Sequence, residues 1–236
     1  MKVLRNKGFD KSKWMQLPRD VVVGHGVLGQ IPRVLQDLAL GESILVITGR
    51  HTLGVAGKRV IGMLSRKYDT RTFLVEEISP AVIRDAEREA RKAEILVAVG
   101  GGKIIDTAKI ASFNTDRQFI SVPTAASHDG IASASASVPT PEGNLSLRAH
   151  PPVAVVADTG VIASAPHRLL ASGCADIISN YSAVLDWELA HRLKDEPISE
   201  YASTLSRLTA EPKASRRTTA KVPQPTPESV IAVRRG

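Results

Sequence analysis

An α/β fold is predicted for this 236-residue chain: a doubly wound, mostly parallel sheet followed by the start of an all-helical region. Short apolar runs alternate with helix-period segments along most of the chain. One of those runs stops at three consecutive glycines before a helix begins. The composition is aliphatic, with 43% hydrophobic residues but only 4% aromatic ones. Strands separated by helical stretches of roughly ten to fifteen residues need crossover connections, which place helices on both faces of a parallel, Rossmann-like sheet.

In order, the pairs are Val21–Gly24 with Gly26–Leu40, Ser43–Thr48 with His51–Arg66, Thr70–Val75 with Ala81–Lys92, and Ile95–Val99 with Lys103–Phe113. Phe119–Val122 and Val153–Val156 read as two further buried strands. Between them lies a small-residue loop, then a hairpin with its turn at Pro139-Thr-Pro-Glu-Gly-Asn144. Helix is predicted from Ala171 to about Lys194 and again from about Ile198 to Thr209. Glu211–Pro227 has four prolines and no periodic apolar face, which predicts disorder. The expected organisation is a nucleotide-binding domain over 1–159, the beginning of a helical domain over 160–210, and a basic, proline-rich tail over 211–236.

The formal charge of +7 does not indicate a nucleic-acid binder. Lys213, Arg216, Arg217, Lys221, Arg234 and Arg235 against Glu211 and Glu228 place +4 of it in the tail, and the rest is mildly basic without a pattern of aromatics interleaved among its basic residues. Cys174 is the single cysteine, so neither an internal disulfide nor a cysteine-rich zinc site is possible, and a small buried packing role is expected of it. No run approaches the roughly 20 apolar residues that span a bilayer, and a cytoplasmic protein without membrane insertion is the expectation.

Chemistry concentrates at Ile95-Leu-Val-Ala-Val-Gly-Gly-Gly-Lys-Ile-Ile-Asp-Thr-Ala-Lys109. Gly100, Gly101 and Gly102 lack Cβ atoms, so backbone N–H groups approach a ligand closely and φ > 0 is accessible, while the helix opening near Lys103 aims its positive end at the same place. That combination seats a pyrophosphate. Asp106 reads either as a first-turn carboxylate on the helix dipole or as a cofactor contact. The loop Pro123-Thr-Ala-Ala-Ser-His-Asp-Gly-Ile-Ala-Ser133 also leaves a strand, and both segments are expected at the carboxyl ends of the strands, facing one cleft. Thr48-Gly-Arg50, after the second strand, offers no acidic residue for a ribose hydroxyl, and Arg50 tolerates a 2′-phosphate, so use of both NAD and NADP is expected.

Gly100-Gly-Gly-Lys-Ile-Ile-Asp-Thr-Ala-Lys109 resembles the cofactor turn of the superfamily of glycerol dehydrogenases, dehydroquinate synthases and iron-containing alcohol dehydrogenases. Within it, Ser121–Ser133, Ala165–Tyr181, Asp186–Lys194 and Ser199–Ala202 are similar, in the right order, to the archaeal glycerol-1-phosphate dehydrogenase family. The resemblance runs from about Leu17 to Ala210. It implies reduction of dihydroxyacetone phosphate to sn-glycerol 1-phosphate with NADH or NADPH, for archaeal membrane phospholipids, with bound zinc.

Carried over residue by residue, it implies that Gly101, Gly102, Lys103, Ile104, Ile105, Asp106, Thr124, Ala125, Ala126 and Ser127 line the dinucleotide, with Ser133 beside the nicotinamide. Asp129 would contact substrate. Asp176 would lie against substrate and be a zinc ligand; both aspartates are the catalytic candidates. The family's other two zinc ligands are histidines of a longer C-terminal helical domain, and no histidine follows His191 here. The alternative expectations are a catalytically silent cofactor-binding fragment, or a glycerol or alcohol dehydrogenase of the same superfamily. Ala171–Lys194 should present an apolar face without its usual partners, which predicts self-association.

Overall fold

The computed structural model describes residues 16–140, 143–210 and 231–232. Seven strands form one sheet in the order β3-β2-β4-β5-β8-β1-β9. They are β1 (Asp20–Gly24), β2 (Ser43–Gly49), β3 (Asp69–Val75), β4 (Ile95–Gly100), β5 (Gln118–Pro123), β8 (Ala154–Asp158) and the two-residue β9 (Ile231–Ala232). All pairs except β1 with β9 are parallel. The remaining strands, β6 (Ser135–Thr140) and β7 (Gly143–Arg148), make a separate antiparallel hairpin in which Pro139 faces Asn144.

Strand alternation sorts the side chains onto two cores. On one face Ile44, Val46, Ile95, Val97, Val99, Ile120, Val122 and Val156 pack against Ile31, Val34, Leu35 and Leu38 of α1 (Ile31–Leu38) and Val60 and Leu64 of α3 (Lys58–Leu64). On the other, Leu45, Ile47, Leu96, Ala98 and Phe119 pack against Ala86 and Ala90 of α4 (Pro80–Ala90) and Ile105, Ala108 and Ala111 of α5 (Gly102–Thr115). A sheet buried on both faces accounts for the continuous apolar runs of its central strands.

The second crossover is predicted as one helix over His51–Arg66. It is a short α2 (Arg50–Thr52) that passes through a π turn at Leu53–Gly57 into α3. The segment after β1 likewise begins with a 3-10 turn, Val27–Gln30, before α1. The helix after the glycines is not amphipathic: every residue from Ile104 to Ser112 is buried. The reason is a second cover, because Ala136, Val138 and Leu147 of the hairpin pack with Ile110 of α5 and Ile78 and Ile83.

The helical region is α6 (Thr159–Ala163), α7 (His167–Lys194) and α8 (Glu200–Ala210). Helix α7 begins four residues before the expected Ala171. Cys174 is exposed rather than buried, because it lies on a face of α7 that nothing covers among the described residues. Of the expected disordered tail, 211–230 and 233–236 lie outside the described residues, whereas Ile231 and Ala232 pair with Val23 and Val22.

Candidate functional site

The chain reverses its direction across the sheet between β2 and β4, where ligands of open α/β sheets bind beyond the carboxyl ends of the strands. Gly49–Arg50 leaves β2 on one side of that point and Gly100–Lys103 leaves β4 on the other. The buried Thr48 hydroxyl ties the two strand ends together by donating to the Val99 carbonyl at 2.8 Å, and Thr52 Oγ1 accepts the Gly49 N–H at 2.9 Å.

The three glycines do different jobs, and none needs φ > 0; among the described residues the positive-φ glycines are Gly26, Gly41 and Gly143. A Cβ on Gly100 would meet Ile104 Cγ1 at 2.5 Å, so this glycine lets the first turn of α5 fold back on the strand end. A Cβ on Gly102 would collide with the His128 ring. A Cβ on Gly101 would meet nothing within 4 Å, so the open space lies in front of Gly101, at the N-terminus of α5.

The loop after β5 closes the other side. The Thr124 N–H donates to the Gly100 carbonyl at 3.0 Å, joining loop and turn directly. Thr124 and Ala125 are buried, and Ala126 and Ser127 are half-buried beside them. His128 Nδ1 accepts the Gly130 N–H at 2.9 Å and caps a 3-10 turn, Asp129–Ile131, which holds its ring against Gly102.

Helix α7 passes directly over this loop. Gly173 makes the approach possible, since a Cβ there would run into the Ala126 carbonyl oxygen. One turn further on, Asp176 Oδ2 accepts the Asp129 N–H at 2.8 Å. The two aspartates singled out in the sequence, 47 residues apart, are therefore joined across two elements.

Among the described residues no group of three or more His, Cys, Asp or Glu side chains is placed to hold a metal ion. Asp176 is a chemically suitable zinc donor, but a zinc site with an open position has three protein ligands, and the described residues do not supply them.

Asp106 is buried, and both of its oxygens are engaged within the protein: Oδ1 with Lys109 Nζ at 3.3 Å and Oδ2 with the Ser137 N–H at 3.1 Å. Ile104 and Ile105 pack in the core. Lys103 is exposed at the rim and pairs with Glu77 at 3.4 Å. Arg50 meets Glu76, a residue just beyond β3 that its own strand end does not reveal. Both pairs are largely solvated and contribute little stability.

Asp158, absent from the sequence-based candidates, organises a second glycine turn. Gly24-His-Gly-Val-Leu-Gly29 has the Gly-x-Gly-x-x-Gly spacing after a strand, yet Asp158 Oδ1 accepts the Gly26 N–H at 3.0 Å and Oδ2 accepts the Leu28 N–H at 3.2 Å. Those amides already hold an anion that the protein supplies. Burial works against the Asp158 charge, but N–H groups of Gly26, Leu28, Gly160 and Val161 outweigh it and hold the carboxyl below the usual range.

Residues 22–166 match the family model for iron-containing alcohol dehydrogenases. The chain belongs to that family. Among curated relatives of this iron-containing alcohol dehydrogenase family member, it is 64% identical over 211 residues to a glycerol-1-phosphate dehydrogenase (NAD(P)+) of Methanoregula boonei. It is 67% identical over 210 residues to the protein of the same name in Methanoculleus marisnigri. These matches take in 89% of the chain but 59% and 58% of the relatives, so it spans about three-fifths of their length. A probable glycerol dehydrogenase from Sinorhizobium meliloti superposes with a TM-score of 0.71 at 27% identity, over 83% of this chain and 56% of that one.

Proposed function

We propose that the chain carries the cofactor-binding part of an NAD(P)-dependent reductase that converts dihydroxyacetone phosphate to sn-glycerol 1-phosphate for archaeal phospholipid synthesis. One observation carries this reading. An open glycine turn at the sheet's switch point is bonded through Thr124 to the loop that presents Asp129 to Asp176. The names of the relatives point to glycerol 1-phosphate, the product in the direction written, and to NAD(P).

On this reading, backbone N–H groups at Gly101–Lys103 receive the pyrophosphate, Thr124–Ser127 flank it, and Ser133 lies toward the nicotinamide. Asp106, Ile104 and Ile105 act from behind by fixing the first turns of α5. When bound, the reduced cofactor would supply the hydride taken up by the carbonyl carbon, with the proton for the oxygen coming from solvent. Asp129 contacts the substrate and Asp176 lies against it, each holding the other in place. No step is assigned to zinc, because Asp176 is its only proposed ligand here. The sheet through about Thr159 is the cofactor-binding unit, α7 and α8 begin the substrate-side helical unit, and a cytoplasmic setting follows from the reaction. No helix among the described residues is long and apolar enough to cross a membrane.

NADPH oxidation by the purified, zinc-supplemented chain tests this, with dihydroxyacetone phosphate compared with dihydroxyacetone. Turnover with the phosphate ester alone is expected; turnover with dihydroxyacetone would instead place the chain with glycerol dehydrogenases. The single zinc donor favours a second reading, a cofactor-binding fragment without turnover, whose signature is NADPH binding with neither substrate consumed.

The uncovered face of the helical unit bears on oligomeric state. Leu170, Ile177, Tyr181, Leu185 and Leu189 on α7 and Tyr201, Leu205 and Leu208 on α8 are each at least 40% exposed. Apolar surface of this extent marks an association site. Sedimentation is expected to show a concentration-dependent dimer, and Leu185→Lys with Leu189→Lys is expected to shift it to monomer.

A further inference from the structure

One of the largest fully buried side chains among the described residues is a charged one, Lys109. Burying an ammonium is costly unless its donors are met, and a methionine of similar length would fill the same space without that cost. The donors are met by Ser135 O at 2.6 Å, Gly130 O at 2.9 Å and Asp106 Oδ1 at 3.3 Å, with Ser133 Oγ at 3.5 Å. Gly130 and Ser135 bracket Ser133, and Gly130 follows directly on Asp129. Asp106, one turn earlier on α5, takes the Ser137 N–H with its other oxygen. The pair therefore holds the segment 130–137 at several points from a single helix face. With none of its surface exposed, Lys109 touches neither cofactor nor substrate.

We infer that Lys109 is a positioning residue, whose ammonium ties the loop of Asp129 and Ser133 to the helix opening at the glycine turn and so sets the distance between cofactor and substrate sides of the site. Its bearing on the site rests on the cofactor reading above. Burial pushes the Lys109 ammonium below its usual range, opposed by the charges of Asp106 and Asp129.

Hydrogen exchange of the full chain tests this without requiring turnover. Lys109→Met alone strands the Asp106 charge, so the comparison uses the double variant Asp106→Asn/Lys109→Met, which leaves an acceptor for Ser137. Exchange at 130–137 is expected to quicken by about ten-fold or more in the double variant, with β2, β4 and β5 unchanged, because only local bonds are lost. With NADPH, protection is expected at 101–105 in both proteins but at 130–135 in the wild type alone. Unchanged exchange at 130–137, an equal rise throughout the sheet, or a double variant without a cooperative melt would each overturn the inference. The last two outcomes would make the pair a requirement of the fold. Absence of NADPH protection in the wild type would sink the cofactor reading, and with it the site-setting role, even if the unliganded comparison showed the tie.

Discussion

Asp158→Asn is expected to destabilise the chain by about 2–3 kcal/mol, the scale of hydrogen bonds to a charged group whose loss leaves buried N–H groups unmet. The Asp158 side chain is buried, at 2% exposure, and its two oxygens accept from Gly26, Leu28 and Gly160. An asparagine keeps one acceptor oxygen and turns an NH2 group toward an amide that is itself a donor. The damage should centre on the turn between β1 and α1, since the carboxylate joins it to the end of β8.

The same contacts fix the pH dependence. Because the Asp158 carboxyl is held below its unfolded value, the folded state resists protonation more than the unfolded state does. The stabilisation is complete above the unfolded carboxylate value, near 4, and is lost as pH falls through the folded value. The stability difference between wild type and Asp158→Asn, measured by urea unfolding across acidic pH, should therefore be widest near neutrality and shrink on acidification. A constant difference would mean that the charge is not what stabilises the turn.

Legibility in the sequence followed the range of the interactions. Strands such as Ile95–Gly100 are buried on both faces, so their apolar runs announced them, and the glycines after β4 marked the turn because a close approach leaves no room for Cβ. Asp129 and Asp176 were singled out by family resemblance, and the bond between them had no signal in the spacing, since nothing local marks a contact across 47 residues. Asp158 and Glu76 were missed for the same reason: Asp158 meets Gly26 across 132 residues, and Glu76 reaches Arg50 from just beyond the neighbouring strand. The Gly24–Gly29 spacing shows the converse error that local spelling invites, a dinucleotide-like turn whose amides are already occupied. The burial of Lys109 has no local signal, because the hairpin that covers it lies more than twenty residues further along the chain.

Gly173→Ala is the substitution on which the site's assembly most depends. In an ordinary exposed helix this change would stabilise by up to about 1 kcal/mol. Here the new methyl would occupy the place of the Ala126 carbonyl oxygen, and since both partners are backbone, neither yields by a change of rotamer. Overpacking of this kind costs about 1–3 kcal/mol, and the low-cost escape is for α7 to lift from the loop. Lifting would break the bond between Asp176 Oδ2 and the Asp129 N–H while leaving both sheet cores intact, because Gly173 and Val184 are the buried residues of α7. The expected result is faster exchange at the Asp129 amide and within α7, unchanged protection in β2, β4 and β5, and NADPH binding within a few-fold of the wild type. On the proposed function, weakened substrate capture should accompany it, since the glycine turn belongs to the sheet whereas the aspartate pair exists only while α7 is seated. An Asp129 amide as protected in Gly173→Ala as in the wild type would show that α7 is held by its contacts elsewhere and that the glycine is incidental.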